Sequence, residues 1–159
     1  MSLEDIANTL AATPLAIEMT DSAWLFGAVE AVHVVALTLV LGSIALVDLR
    51  LLGLVDRDRD ANVLIRALLP LTWTGFALAA ITGTTMIFAN PKGYFENFFF
   101  QGKIVLLLLA GINVAVFHVF VQPRMRTADG LAPRVSGGIS LVLWLTIVSF
   151  GRWIGFTTT

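Results

Sequence analysis

His33 and His118 are the only imidazoles in a chain of 159 residues that has no cysteine. Thiolate metal sites, iron–sulfur clusters, disulfides and a cysteine nucleophile are therefore excluded, and imidazole is left as the side chain best suited to a transition metal. His33 ends the run VEAVH and lies three residues after Glu30, on the same face if that run is helical. An ionisable side chain within an apolar stretch is costly unless it faces the protein interior and a partner. Glu30, His33, Lys103 and Arg152 therefore form a candidate outer layer, with Glu96 and Asn97 entering from the connection above it. Haem b binding suits such a layer: His33 would give the iron an axial nitrogen, and Lys103 and Arg152 would neutralise propionates. The alternatives are a polar-substrate or proton-relay role, or a structural, hydrogen-bonded histidine with Lys103 and Arg152 reaching to lipid headgroups.

His118 belongs to a different depth. If its span runs parallel to that of His33, the two differ by about 15 Å along the membrane normal at 1.5 Å per residue, too far for one haem. Its neighbours in depth are Asp48, Arg50, Asn113 and Thr72, an inner polar layer. An Asp48–Arg50 lock or a helix cap is one reading, half of a proton path the other. The chain contains no phosphate-binding loop, dinucleotide fingerprint, zinc-protease motif or calcium loop.

These residues sit in an unusually oily sequence, 57% apolar and 13% charged, with a mean hydropathy of +0.87. A soluble surface cannot be built from it, so lipid must cover much of the chain. Four apolar stretches, about 24–52, 68–89, 104–121 and 135–156, each suffice for the roughly 20 residues that cross about 30 Å of hydrocarbon. The fold expected is an all-α integral membrane four-helix bundle forming one domain. Leu3, Ile6 and Leu10 mark a short interfacial helix that Pro14 ends, and Asp21 and Ser22 offer caps for the first span. Residues 56–60, a turn at 90–93 and a polar segment at 122–138 serve as connections. Small residues, among them Gly42, Gly75, Gly83, Gly111 and Gly137, allow close helix approach.

Arg50, Arg57, Arg59, Arg66, Arg124, Arg126 and Arg134 lie beside the first and third connections, against Lys92, Lys103 and Arg152 on the other side. Seven charges against three puts those connections in the cytoplasm and both termini outside. The acidic start lacks the pattern of a cleaved secretory signal. A net charge of −1 offers no field for nucleic acid. Membrane lipid is the expected partner, with a homo-oligomer or larger membrane complex built on the small-residue faces.

TPLA at 13–16, SAWLF at 22–26, VEAVH at 29–33 and DLRLLG at 48–53 resemble the bacterial four-helix membrane proteins of domain of unknown function 6644. WTGF at 73–76, ITG at 81–83, GK at 102–103, AGIN at 110–113, FH at 117–118 and GRWI at 151–154 continue the resemblance through nearly the whole chain. It implies a bacterial inner membrane, with periplasmic termini. More remotely, His33 and Lys103 look like the His and Lys of HemJ-type protoporphyrinogen oxidases, and the arrangement is similar to copper-resistance D proteins. The extended HemJ motifs and a Met-rich copper relay are absent. The oxidase likeness implies haem on His33, Lys103 at its second side or a propionate, and a quinone or porphyrin as partner. The contrasting expectation is a non-catalytic transport-accessory or assembly protein.

Overall fold

The computed structural model describes residues 2–56, 60–125 and 130–158, and these are helical throughout apart from short connections. In chain order the helices are α1 (Leu3–Ala11), α2 (Pro14–Asp21), α3 (Leu25–Leu51), α4 (Ala61–Ile87), α5 (Pro91–Glu96), α6 (Phe98–Val116) and α7 (Leu131–Thr157). A π-helical turn, Phe117–Val121, and a 3₁₀ turn, Gln122–Arg124, extend α6. With that extension each of the four long helices has 27 residues, about 40 Å at 1.5 Å per residue. They outreach the hydrocarbon and are apolar along most of their length, the form of a membrane-spanning four-helix bundle.

The bundle is open on one side. α4 runs along α3, α3 packs on α7, and α7 packs on α6, while α4 and α6 have no comparable contact. α3 is central because glycines on both neighbours let their backbones come close. A methyl group added at Gly75 would lie 3.1 Å from Val40 Cγ2 and 3.3 Å from the Ala36 carbonyl oxygen. One added at Gly137 would lie 3.0 Å from Leu51 Cβ and 3.1 Å from the Asp48 carbonyl oxygen. Ala36 and Val40 are fully buried at the first crossing. Val40, Ala110, Trp144 and Ile147 fill the middle of the bundle, and Leu51, Ala61, Ile65 and Phe117 close its inner end. Gly42 and Gly111 meet nothing within 4 Å, so they do not bring helices together within this chain.

The four spans stand where the apolar stretches put them, but three begin earlier. α4 starts at Ala61, seven residues before 68, with the Asp60 carboxylate accepting from the Asn62 N–H at 2.9 Å. α6 starts at Phe98, where Asn97 Oδ1 accepts from the Phe99 and Phe100 N–H groups at 2.9 and 3.1 Å. α7 starts at Leu131 and takes in residues expected in the connection. Hydropathy marks the oil, whereas helices continue through Arg66, Gln101 and Arg134 into the interface until a cap stops them.

The outer end also differs from expectation. Pro14 begins a second helix instead of ending the segment: Thr13 Oγ1 accepts from the Ala16 N–H at 3.3 Å, and proline is compatible with a first helical turn. Ser22 Oγ accepts from the Leu25 N–H at 3.3 Å, but the N-cap of α3 is Trp24, which makes no side-chain capping bond. The expected turn at 90–93 opens α5, with Asn90 Oδ1 accepting from the Gly93 N–H. α1 packs against α5 over the buried Ala7, with an exposed Lys92–Glu4 pair at 3.5 Å. At the inner end Pro123 has no N–H to give the Val119 carbonyl, and α6 leaves α-geometry just before it. Arg57, Arg59 and Arg126 lie outside the described residues.

Gly137→Leu, which forces a side chain onto the α3 backbone, should destabilise the bundle by about 1–3 kcal/mol. Gly42→Ala, which enters open space within a helix, should be neutral or stabilising by up to about 1 kcal/mol. Thermal unfolding of both variants in one detergent checks the pair.

Candidate functional site

His33 points from α3 toward α4, where its Nδ1 lies 2.9 Å from Thr82 Oγ1. The same hydroxyl lies 2.7 Å from the Leu78 carbonyl oxygen, a contact only its own hydrogen can make. Thr82 Oγ1 therefore accepts from His33, which assigns the proton to Nδ1 and leaves the lone pair on Nε2. The Ala79 carbonyl, another pure acceptor, also faces the ring. Gly83 makes room for it, since a methyl group there would lie 3.0 Å from His33 Cε1. A threonine 49 residues away carries no local signal in the sequence, and spacing alone does not reveal it.

Lys103 approaches from α6. Its charge acts on His33, and its Nζ crosses the face of α7 at Gly151, 3.2 Å from where a methyl group would stand. It is half-buried, and among the described residues no ion pair or hydrogen bond forms on it. The other members of the expected outer layer lie further out. Glu30 is exposed and acts electrostatically on Tyr94 of α5. Arg152 is exposed with its guanidinium 4.6 Å from the centre of the Phe156 ring, one turn along its own helix. Glu96 pairs with Lys92 at 3.9 Å, and the buried Asn97 donates to Thr157 Oγ1 at 2.8 Å, tying α6 to the end of α7. His33 and Lys103 thus share the interior, with Glu30 and Tyr94 at its rim and Arg152 on the outer surface.

The inner layer surrounds a cavity of about 560 Å³ in the gap between α4 and α6. Asp48, Thr72, Asn113 and His118 of the expected inner layer line it, and Arg50 does not. Thr72 Oγ1 lies 2.8 Å from Ser43 Oγ, and Asn113 Nδ2 donates to the Ser136 carbonyl at 3.2 Å. His118 Nδ1 and Gln122 Oε1 are 2.6 Å apart, and Gln122 Nε2 continues the chain to Asn62 Oδ1 on α4. The Asp48–Arg50 lock does not form. Positions two apart on a helix do not face each other, and the Asp48 side chain meets the Ser140 hydroxyl on α7. Arg50 is buried with partners of its own. The two histidines stay apart, one held by α4 at the outer end and the other by the α6 extension at the inner end. Ser136, Ser140 and Trp144 were missed, although their four-residue spacing marks one helical face.

No group of three or more His, Cys, Asp or Glu side chains placed to hold a metal ion occurs among the described residues. A haem needs an axial nitrogen and a cation for its propionates, and His33 and Lys103 are side chains of those two types within electrostatic reach of each other. Glu30 stands one helical turn from His33 and is exposed.

Tyr94 is the one tyrosine of the chain, so its ionisation can be followed directly. Burial first, and the Glu30 carboxylate second, raise its phenol above the usual value near 10, because both disfavour the phenolate. Glu30→Gln should lower the phenol's pKa while leaving it above 10, as read by ultraviolet absorbance titration. An unchanged titration would place Glu30 away from Tyr94.

Neither the curated proteins nor the solved structures contain a match to this chain. A family of unknown function, DUF6644, matches residues 20–157, from the end of α2 to the end of α7. That span takes in all four long helices and both polar layers, and the chain belongs to the DUF6644 family.

Proposed function

We propose that this membrane protein holds a haem b in its outer layer and serves in electron transfer or oxidase-like chemistry near the outer face of the membrane. The observation supporting this reading is the Leu78–Thr82–His33 chain of hydrogen bonds, which leaves His33 Nε2 as an oriented lone pair. Iron-ligating imidazoles are held in this way, the far nitrogen donating to a fixed acceptor. Haem b would supply one-electron exchange. The chain's own contribution is to fix the ring of His33, to set the Lys103 cation against a propionate, and to keep water out with α3 and α4. Glu30 and Arg152 would shape the rim. An electron carrier needs a donor and an acceptor, so a second copy, a larger membrane complex, or a quinone or porphyrin would complete the path.

The excess of arginine at the inner ends supports a bacterial inner-membrane setting with both termini in the periplasm. Single cysteines at Ser2 and Arg126, introduced into a chain that has none, should react from opposite faces in intact cells, with Ser2 accessible from outside. Inverted labelling would reverse the assignment.

Gently purified protein should show the absorption spectrum of a b-type haem. His33→Ala should lose it, Thr82→Val should weaken haem retention about 10- to 100-fold through loss of ring orientation, and His118→Ala should keep it. Loss in His118→Ala alone would sink the axial assignment. A protein without haem under several gentle conditions would favour the non-catalytic assembly role.

A further inference from the structure

His118 stands at the end of a chain of hydrogen bonds whose direction is fixed. The Asp60 carboxylate, at the N-cap of α4, can only accept, so Asn62 Nδ2 donates to it at 3.3 Å. Asn62 Oδ1 is then left to accept from Gln122 Nε2 at 3.2 Å, and Gln122 Oε1 to accept from His118 Nδ1 at 2.6 Å. Each amide is oriented by the one before it, and the neutral ring carries its proton on Nδ1 and a lone pair on Nε2. Gln122 holds one edge of the ring, so Nε2 is turned away from it. Among the described residues Nε2 has no hydrogen-bond partner, and it is open to a molecule the size of water, whereas the unpartnered Asp48 Oδ2 and Trp144 Nε1 are closed to one. An acceptor within a bilayer has little water to satisfy it, and an unmade bond there costs about 1–3 kcal/mol. His118 also lines the cavity between α4 and α6, whose mainly apolar walls include Trp73, Phe76, Phe117 and Trp144. The cavity volume of about 560 Å³ lies within the range of about 300–1,000 Å³ typical of small-molecule sites.

We infer that the cavity binds a lipid-soluble phenol, with its ring against the aromatic walls and its hydroxyl donating to His118 Nε2. The lone pair selects for a donor: a hydroxyl pairs with it, while a carbonyl, an ether or a plain acyl chain has no hydrogen to give. The aromatic walls favour a flat body over a flexible one, and the gap between α4 and α6 leaves room for a tail in lipid. The chain back to Asp60 acts on the same contact. It holds the ring in one orientation, and its aligned dipoles make Nε2 a better acceptor. The inference does not depend on haem at His33, which α4 holds at the other end of the bundle.

The test uses the whole protein in nanodiscs of dioleoylphosphatidylcholine. The probe is para-decylphenol, and the control is its methyl ether, para-decylanisole, which keeps the ring and tail and loses the donor. Binding is read by native mass spectrometry and by site-resolved labelling with diethyl pyrocarbonate, which acylates a free imidazole nitrogen. His118 should label in the absence of probe. The phenol should bind saturably and protect His118 while leaving the labelling of His33 unchanged, and the ether should bind about 3- to 10-fold more weakly, the worth of one hydrogen bond. His118→Leu should reduce binding of the phenol to the level of the ether, and Gln122→Leu should weaken it by freeing the ring. His33→Ala should leave it unchanged, separating this site from the haem proposal. The comparison of phenol with ether is made on the unaltered protein, so it decides even if helicity shows that a variant has not folded. Equal binding of phenol and ether, binding that never saturates or is indifferent to His118→Leu, or displacement by dioleoylglycerol as effective as by the phenol itself overturns the inference. So does a dimer in which the partner's helix fills the cavity.

Discussion

The close approach of α3 to α4 and α7 is the contact on which the remainder depends. In lipid the association of helices gains little from the hydrophobic effect, since the tails are as apolar as leucine, and packing has to replace it. Gly75 and Gly137 supply that packing by letting each neighbour's backbone meet α3 nearly atom to atom. Two of the polar contacts hang from this spine. His33 reaches Thr82 because α4 lies close along α3, and Asp48 reaches Ser140 because α7 does.

The fourth helix is held differently. α6 buries only Ala110 among the described residues of its α-helical part, and polar bonds secure it at the ends. Asn97 bonds Thr157 at one end, and Gln122 bonds Asn62 at the other. Between them Asn113 bonds Ser136. Few side chains interdigitate, so α6 stands off from α4. The open gap follows from the shortage of tight contacts on α6.

The fold was largely legible in the sequence, because four runs of apolar residues long enough to span a bilayer leave few alternatives. The separation of the two histidines was legible too, since rise per residue is fixed: His33 bonds Thr82, and His118 bonds Gln122. What escaped was rotation about the helix axes. Arg152 shares a depth with Lys103 yet lies over Phe156 on the surface, and Asp48 faces Ser140 instead of Arg50. In a lipid-facing helix apolar residues surround the axis, so hydropathy leaves the inward face unmarked. The caps at Thr13 and Asn90 were readable as residue types, but Pro14 was taken as an end where it is a beginning.

The open side between α4 and α6 has a consequence for how the molecule should be handled. A bundle sealed on all sides is the same object in any solvent that keeps it folded, whereas here one wall of the interior is supplied by whatever amphiphile surrounds the chain. Exchanging native lipid for detergent is then a change of composition as well as of medium. A micelle can fill the gap with its own tails without disturbing a single helix, so a well-folded preparation need not present the same interior.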